Sequence, residues 1–136
     1  MIEYDSLVNR TVRRIKPSGI RKFFDIANEM DDVISLSVGE PDFHTPWHIR
    51  EAGIESLEKG RTSYPPNRGF LKLRAEISNF IERHYHVKYD PQDEVLVTVG
   101  GSEAIDLCVR TLVEPGDEVL IPEPSFVCYV PITEMA

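Results

Sequence analysis

The run Gly100-Gly101-Ser102-Glu103 holds the residues of this sequence best suited to chemistry. Two consecutive glycines let the backbone turn sharply and approach a ligand closely. Ser102 adds a hydroxyl, and an apolar pattern of helical spacing follows at once in Ala104, Ile105, Leu107, Cys108 and Leu112. The first N–H groups of a helix have no intrahelical acceptor, and the helix dipole is positive there, so the turn is suited to an anion. Glu103 pulls both ways: its carboxylate complements the dipole but would repel a bound anion, so its side chain is expected to face away. Taken alone, Gly-Gly-Ser-Glu describes an ordinary strand-to-helix turn. Other site chemistry is poorly supported. Neither Gly-x4-Gly-Lys-Ser/Thr nor Gly-x-Gly-x-x-Gly occurs, which argues against a nucleotide-binding module. His44, His48, His84 and His86 lack the carboxylate or cysteine company of a closed metal site, and His44 reads as a solvated loop residue. Cys108 and Cys128 have no Cys-x-x-Cys spacing and sit among apolar residues, so two buried free thiols in a reducing cytoplasm are expected.

The elements around the turn form one unit over residues 95–126. Val95, Leu96, Val97 and Val99, interrupted by Thr98, suit a strand buried on both faces, as in a parallel sheet. Glu114-Pro115-Gly116-Asp117 stops the helix and turns the chain into a second strand, 118–121. The result is a β-α-β unit, whose crossover should be right-handed.

Upstream, residues 1–17 read as an extended or loosely held arm with Arg13, Arg14 and Lys16 clustered before Pro17. It is either a solvated basic arm or a segment that docks on a partner subunit. Ser18 can cap a helix with Ile20, Phe23, Phe24 and Ala27 on one face. Residues 33–38 alternate as a half-buried strand does and lead into a loop of turn formers, 39–46. Thr45 caps a second helix with Pro46 in its first turn, ending near Lys59 with Gly60 as the stop. Residues 62–69 are irregular, because two prolines forbid a central strand and Asn67 and Gly69 suit a turn. The longest helix spans about 70–86, with Leu73, Ile77, Phe80, Ile81 and His84 on one stripe, and 88–94 links it to the first strand of the unit. Residues 127–136 begin a further helical pattern that stops without a cap or polar tail. Two strands also leave a parallel sheet mostly unbuilt. The chain is therefore expected to be the front portion of a larger α/β domain, with 1–32 as arm and helix and 33–136 as an incomplete domain.

The 136 residues carry 23 acidic and 15 basic side chains, net −8, with no basic face after residue 22, which disfavours nucleic acid as a partner. No apolar run is long enough to span a membrane. The first 19 residues are basic without an apolar segment, so they are not a secretory signal, while an amphipathic transit-like arm stays open. A cytoplasmic location is expected.

The stretches "SLSVGEPDFHTP", "SYPPNRGFLKLRAEI" and "VTVGGSEAIDLCVRTLVEPGDEVLIPEPSF" together resemble the N-terminal part of the class I/II aminotransferases. These are pyridoxal-phosphate enzymes of the aspartate-aminotransferase fold, also called fold type I. The resemblance implies a three-layer α/β/α large domain, of which this chain would be the start. It implies transamination between an amino acid and a 2-oxo acid, pyridoxal 5′-phosphate as cofactor, and a homodimer. It also implies that Gly101, Ser102 and Glu103 hold the cofactor phosphate, largely through backbone N–H groups, and that Phe126 stacks on the pyridine ring. By the same resemblance Tyr64 reaches the neighbouring subunit's cofactor phosphate, and the backbone of Gly39 lies against the substrate carboxylate. Arg68 departs from the pattern, standing where a small residue is more usual. None of Lys16, Lys22, Lys59, Lys72 and Lys88 matches the context of the family's Schiff-base lysine. The chain by itself is thus expected to be inactive. The alternatives are a non-catalytic fragment with part of a phosphate site, or another fold-type-I reaction such as β-elimination or decarboxylation.

Overall fold

Helices carry the regular structure of this chain. The computed structural model describes residues 4–32, 34, 39 and 41–136, in two compact units. One unit comprises Met1–Ser18 with Asn67–Ala136, and the other Gly19–Pro66.

In the first unit a 3-10 turn at Tyr4–Leu7 precedes α1 (Arg10–Arg14). The arm expected to be extended is therefore partly helical. Asn9 explains why: its side-chain oxygen accepts from Thr11 N at 2.8 Å and Val12 N at 3.5 Å, satisfying first-turn donors that a short helix could not otherwise settle. α1 lies against α6 (Tyr129–Met135), which also packs on α5 (Gly101–Leu112). Ile132 of α6 is the one apolar side chain buried among the described residues.

α4 (Leu71–Tyr85) corresponds to the longest expected helix and ends at His86, whose φ of 57° turns the chain out in the left-handed conformation. Its covered face shares only part of the expected apolar stripe, the half-buried Ile77 and Ile81. Leu73 and Phe80 are nearly half exposed, while Arg74 and Ser78 are buried. Both polar groups are satisfied by loop carbonyls. Ser78 Oγ donates to Tyr89 O at 2.5 Å; Arg74 Nε donates to Gly69 O at 3.1 Å, and its Nη1 to Gln92 O at 2.8 Å and, in a shorter contact, to Pro91 O. Phe80 and His84 instead stack on each other in solvent, ring centroids 4.1 Å apart.

Among the described residues there is no strand. Neither 95–99 nor 118–121 has a ladder partner among the described residues, and a strand exists only through such pairing. The expected α/β layering is thus not seen here. Val97 N–H donates to Arg68 O at 3.1 Å, which among the described residues is the one backbone hydrogen bond tying these two segments to a distant part of the chain. Burial is one-sided: Val95, Val97, Val119 and Ile121 are half-buried, whereas Leu96, Val99 and Leu120 are open. The expected strand 33–38 lies outside the described residues apart from Ile34, which is exposed. Cys108 is exposed and Cys128 half-buried, so the expectation of two buried thiols is corrected. The open face of α5 leaves Cys108 uncovered.

In the second unit, α2 (Ile20–Asn28) follows Gly19, not Ser18, as its N-cap, with Phe24 and Ala27 half-buried. α3 (Trp47–Glu58) starts one residue later than expected, with Pro46 rather than Thr45 at the cap. Its C-terminus is as expected. Gly60 at φ 63° donates to Leu57 O and Arg61 N to Ser56 O, the paired bonds of a Schellman motif. Residues 62–66 are irregular.

Gly69 and Gly53 should respond oppositely to alanine. Gly69 has φ 88°, and a Cβ there would lie 2.8 Å from both Cβ and Cγ2 of Val97, so Gly69→Ala should destabilise by about 2 kcal/mol. Gly53, inside α3 with open space around it, should gain about 0.5–1 kcal/mol on Gly53→Ala. Urea unfolding of both variants measures the two signs.

Candidate anion-binding turn

The turn at the start of α5 is shaped by three local bonds. Gly100 occupies the N-cap position with φ 85° and ψ 169°, a conformation that glycine alone adopts without strain. Thr98 Oγ1 donates to Gly100 O at 2.9 Å, fixing the peptide that enters the helix. Glu103, at the third helical position, reaches back so that its carboxylate accepts the Val99 N–H in a short contact. This is a one-residue variant of the capping box, in which the acid of the first turn satisfies a donor just before the helix. The Glu103 charge is therefore committed to the incoming chain.

What remains at the helix start is a set of donors. No side chain caps α5 at Gly100, and the N–H groups of Gly101, Ser102 and Glu103 have no acceptor one turn earlier. The Ser102 hydroxyl has no hydrogen-bond partner among the described residues and is exposed. The space where Cβ atoms of Gly100 and Gly101 would stand is open. Three N–H groups, one hydroxyl and the positive end of a twelve-residue helix suit a phosphate-sized anion, so the residues present fit the phosphate end of a cofactor. On the body of α5, Arg110 pairs through Nε with both Asp106 oxygens at 2.9 Å; that hydrogen bond first, and the Asp106 charge second, hold the guanidinium pKa above its ordinary value.

Phe126 belongs to the same unit by way of α6. Tyr129 N donates to Phe126 O at 3.2 Å, and the two rings meet edge-on, 5.9 Å apart. Tyr129, Thr133, Ile105 and Val109 enclose an apolar groove with residues 119–122, which keeps that segment beside α5 and α6. The Phe126 ring is about half exposed and lines an open hollow of about 530 Å³ with Glu123, Pro124, Ser125, Val127 and Val130. The Glu123–Pro124 peptide is cis. A ring in this setting has a free face for a flat ligand.

The remaining two residues expected at the site, Tyr64 and Gly39, are in the second unit. Tyr64 is fully exposed, and a Cβ at Gly39 would meet nothing. The structure therefore gathers Gly101, Ser102, Glu103 and Phe126 into one unit, with Tyr64 and Gly39 in the other. Sequence reasoning passed over the residues behind the turn: Arg74, Gly69, Val97 and Thr98. One signal was available. Arg74 and Ser78 stand four residues apart, the spacing of one helical face.

The family model for aminotransferase class I and II matches residues 31–136. The Bacillus subtilis protein YugH is 53% identical over 131 residues, which are 96% of this chain and 34% of YugH. The aspartate aminotransferase of Pyrococcus abyssi is 45% identical over 122 residues, 90% of this chain and 31% of that enzyme. Among solved structures, the Thermus thermophilus aspartate aminotransferase with maleate superposes at a TM-score of 0.82 with 32% identity, covering 93% of this chain and 34% of that one. The backbone thus matches a portion of the aspartate-aminotransferase fold. The chain spans about a third of the length of the curated relatives it matches.

The Glu103 cap gives a measurable expectation. Glu103→Ala should lower stability by about 1 kcal/mol, the usual worth of an N-terminal cap, read by urea unfolding. Glu103→Gln, which can still accept from Val99 N–H, should avoid most of that loss.

Proposed function

The chain belongs to the class I and II aminotransferases, and on that premise we propose that it forms part of an enzyme moving an amino group between an amino acid and a 2-oxo acid. In this reading pyridoxal 5′-phosphate is the cofactor, and this chain supplies its phosphate end. The observation that carries the proposal is the start of α5. Uncapped first-turn N–H groups, a free Ser102 hydroxyl and a glycine entry form an anion site in the family-matched region.

Each residue then has a task in this reading. Gly100 sets the entry angle, Gly101 allows close approach, and the N–H groups of Ser102 and Glu103 with the Ser102 hydroxyl donate to the phosphate oxygens. The Glu103 carboxylate stays bonded to Val99 N–H, so it props the turn. Phe126 offers its open face to the ring, Tyr64 serves the neighbouring subunit's phosphate in a homodimer, and Gly39 lies against the substrate carboxylate. Pyridoxal phosphate, when bound, supplies the electron sink that transamination requires. The lysine that anchors it comes from outside these 136 residues, so this chain alone turns over no substrate. Amino-group transfer is favoured over elimination or decarboxylation because the matched family and the named relatives are aminotransferases. A cytoplasmic enzyme acting on small molecules fits the acidic composition. Among the described residues no helix is long and apolar enough to cross a membrane.

The full-length protein mixed with pyridoxal phosphate should show an absorbance band at the edge of the visible that borohydride abolishes. No such band would sink the proposal. Ser102→Ala should weaken cofactor affinity about fivefold, the loss of one hydrogen bond of about 1 kcal/mol, by titration of that band.

A further inference from the structure

Arg74 is the buried charged residue of the described structure, about 8% exposed, and no carboxylate of the described residues pairs with it. A buried guanidinium without a counter-charge is costly unless its donors are met. Here its Nε and Nη1 donors are met by backbone carbonyls: Gly69 O, Gln92 O and Pro91 O. Its interaction energy is thus committed to the course of two loops.

Those loops lead to the anion-binding turn without slack. Arg68 Nη1 reinforces the arrangement from outside, donating to Gln92 O at 2.9 Å and Asp93 Oδ1 at 3.0 Å. The Arg68 carbonyl accepts Val97 N–H at 3.1 Å, and the bare Cα of Gly69 sits so near Val97 that an added methyl would clash at 2.8 Å. From Val97 the chain reaches Gly100 in three residues, and each intermediate is bonded: Thr98 to Gly100 O, Val99 N–H to Glu103. Every link lies in the same compact unit.

We propose that Arg74 is a positioning residue for the anion-binding turn. Through Gly69, Arg68 and Val97 it fixes how the chain enters Gly100–Gly101, and hence where the first N–H groups of α5 point. The inference rests on the reading of that turn as the cofactor-phosphate site. A purely structural Arg74 would affect ligands with and without a phosphate alike, whereas a positioning Arg74 acts on the phosphate end.

The test uses the full-length protein, with pyridoxal 5′-phosphate and unphosphorylated pyridoxal as the two probes. For Arg74→Gln, affinity for pyridoxal phosphate should fall about tenfold while affinity for pyridoxal stays within twofold, so the preference for the phosphate drops about tenfold. In cofactor-free protein, hydrogen exchange at the amides of residues 97–103 should accelerate. Arg74→Lys, whose single ammonium cannot span Gly69 on one side and residues 91–92 on the other, should restore only part of the preference. If Arg74→Gln gives no folded protein, Arg68→Ala, at an exposed residue, should show the same change in preference at smaller size. Equal losses for both probes, or an unchanged preference with wild-type exchange at 97–103, would overturn the inference. A wild-type protein that binds neither probe would instead refute the cofactor reading, and the exchange data would still decide whether Arg74 fixes the turn.

Discussion

The Arg74 guanidinium and the carbonyls it gathers are the constraint on which the larger unit depends. A helix, a glycine turn and the 90–93 loop converge on one cation, and none could shift without leaving a buried donor unmet. Losing a partner of a buried charged donor costs more than the bond's net worth, because desolvation is no longer offset. This gives the polar hub a rigidity that the apolar packing does not supply. Ile132 is the one buried apolar side chain among the described residues, while Phe70, Leu96, Leu112 and Leu120 are at least half exposed. Hydrophobic stabilisation scales with area removed from water, so these side chains contribute little in this arrangement.

The candidate site draws on that rigidity. An anion site made of backbone N–H groups has no long side chain to adjust its reach, so its quality depends on where the backbone points. Gly100 gives the turn its angle by a left-handed φ, and Glu103 and Thr98 hold that angle from either side. Placing the Glu103 carboxylate on Val99 N–H also settles an electrostatic conflict. The acid stays near the positive end of α5, where the dipole favours it, with its charge shared by a donor outside the first turn. Phe126 reaches the same unit by another route, the packing of α6 on α5.

The local features were legible. The Gly-Gly turn and the apolar repeat after it predicted α5 within one residue, and the glycine after Lys59 predicted the end of α3, because both depend on contacts within a few positions. Starts were read less well. Ser18 and Thr45 have the right chemistry for caps, yet Gly19 and Pro46 take those positions, since a cap depends on the exact φ and ψ at which the chain enters. Gly101, Ser102 and Glu103 were singled out from their types and spacing, whereas Arg74 was passed over because its partners lie five to eighteen residues away.

By itself the sequence determined the helices, the turns that end them and the glycine entry with uncapped N–H groups at residues 100–103, all properties of short-range backbone geometry. It also carried the family resemblance, which the match over residues 31–136 bears out. The tertiary structure decided what depends on remote partners. It put Arg74 and Ser78, not Leu73 and Phe80, on the covered face of α4, because loop carbonyls were there to receive them. It left Cys108 exposed where an apolar pattern suggested burial, since a pattern specifies a face but not what covers it. It gave residues 95–99 and 118–121 one covered side and no ladder among the described residues, because a strand is defined by the neighbour it pairs with.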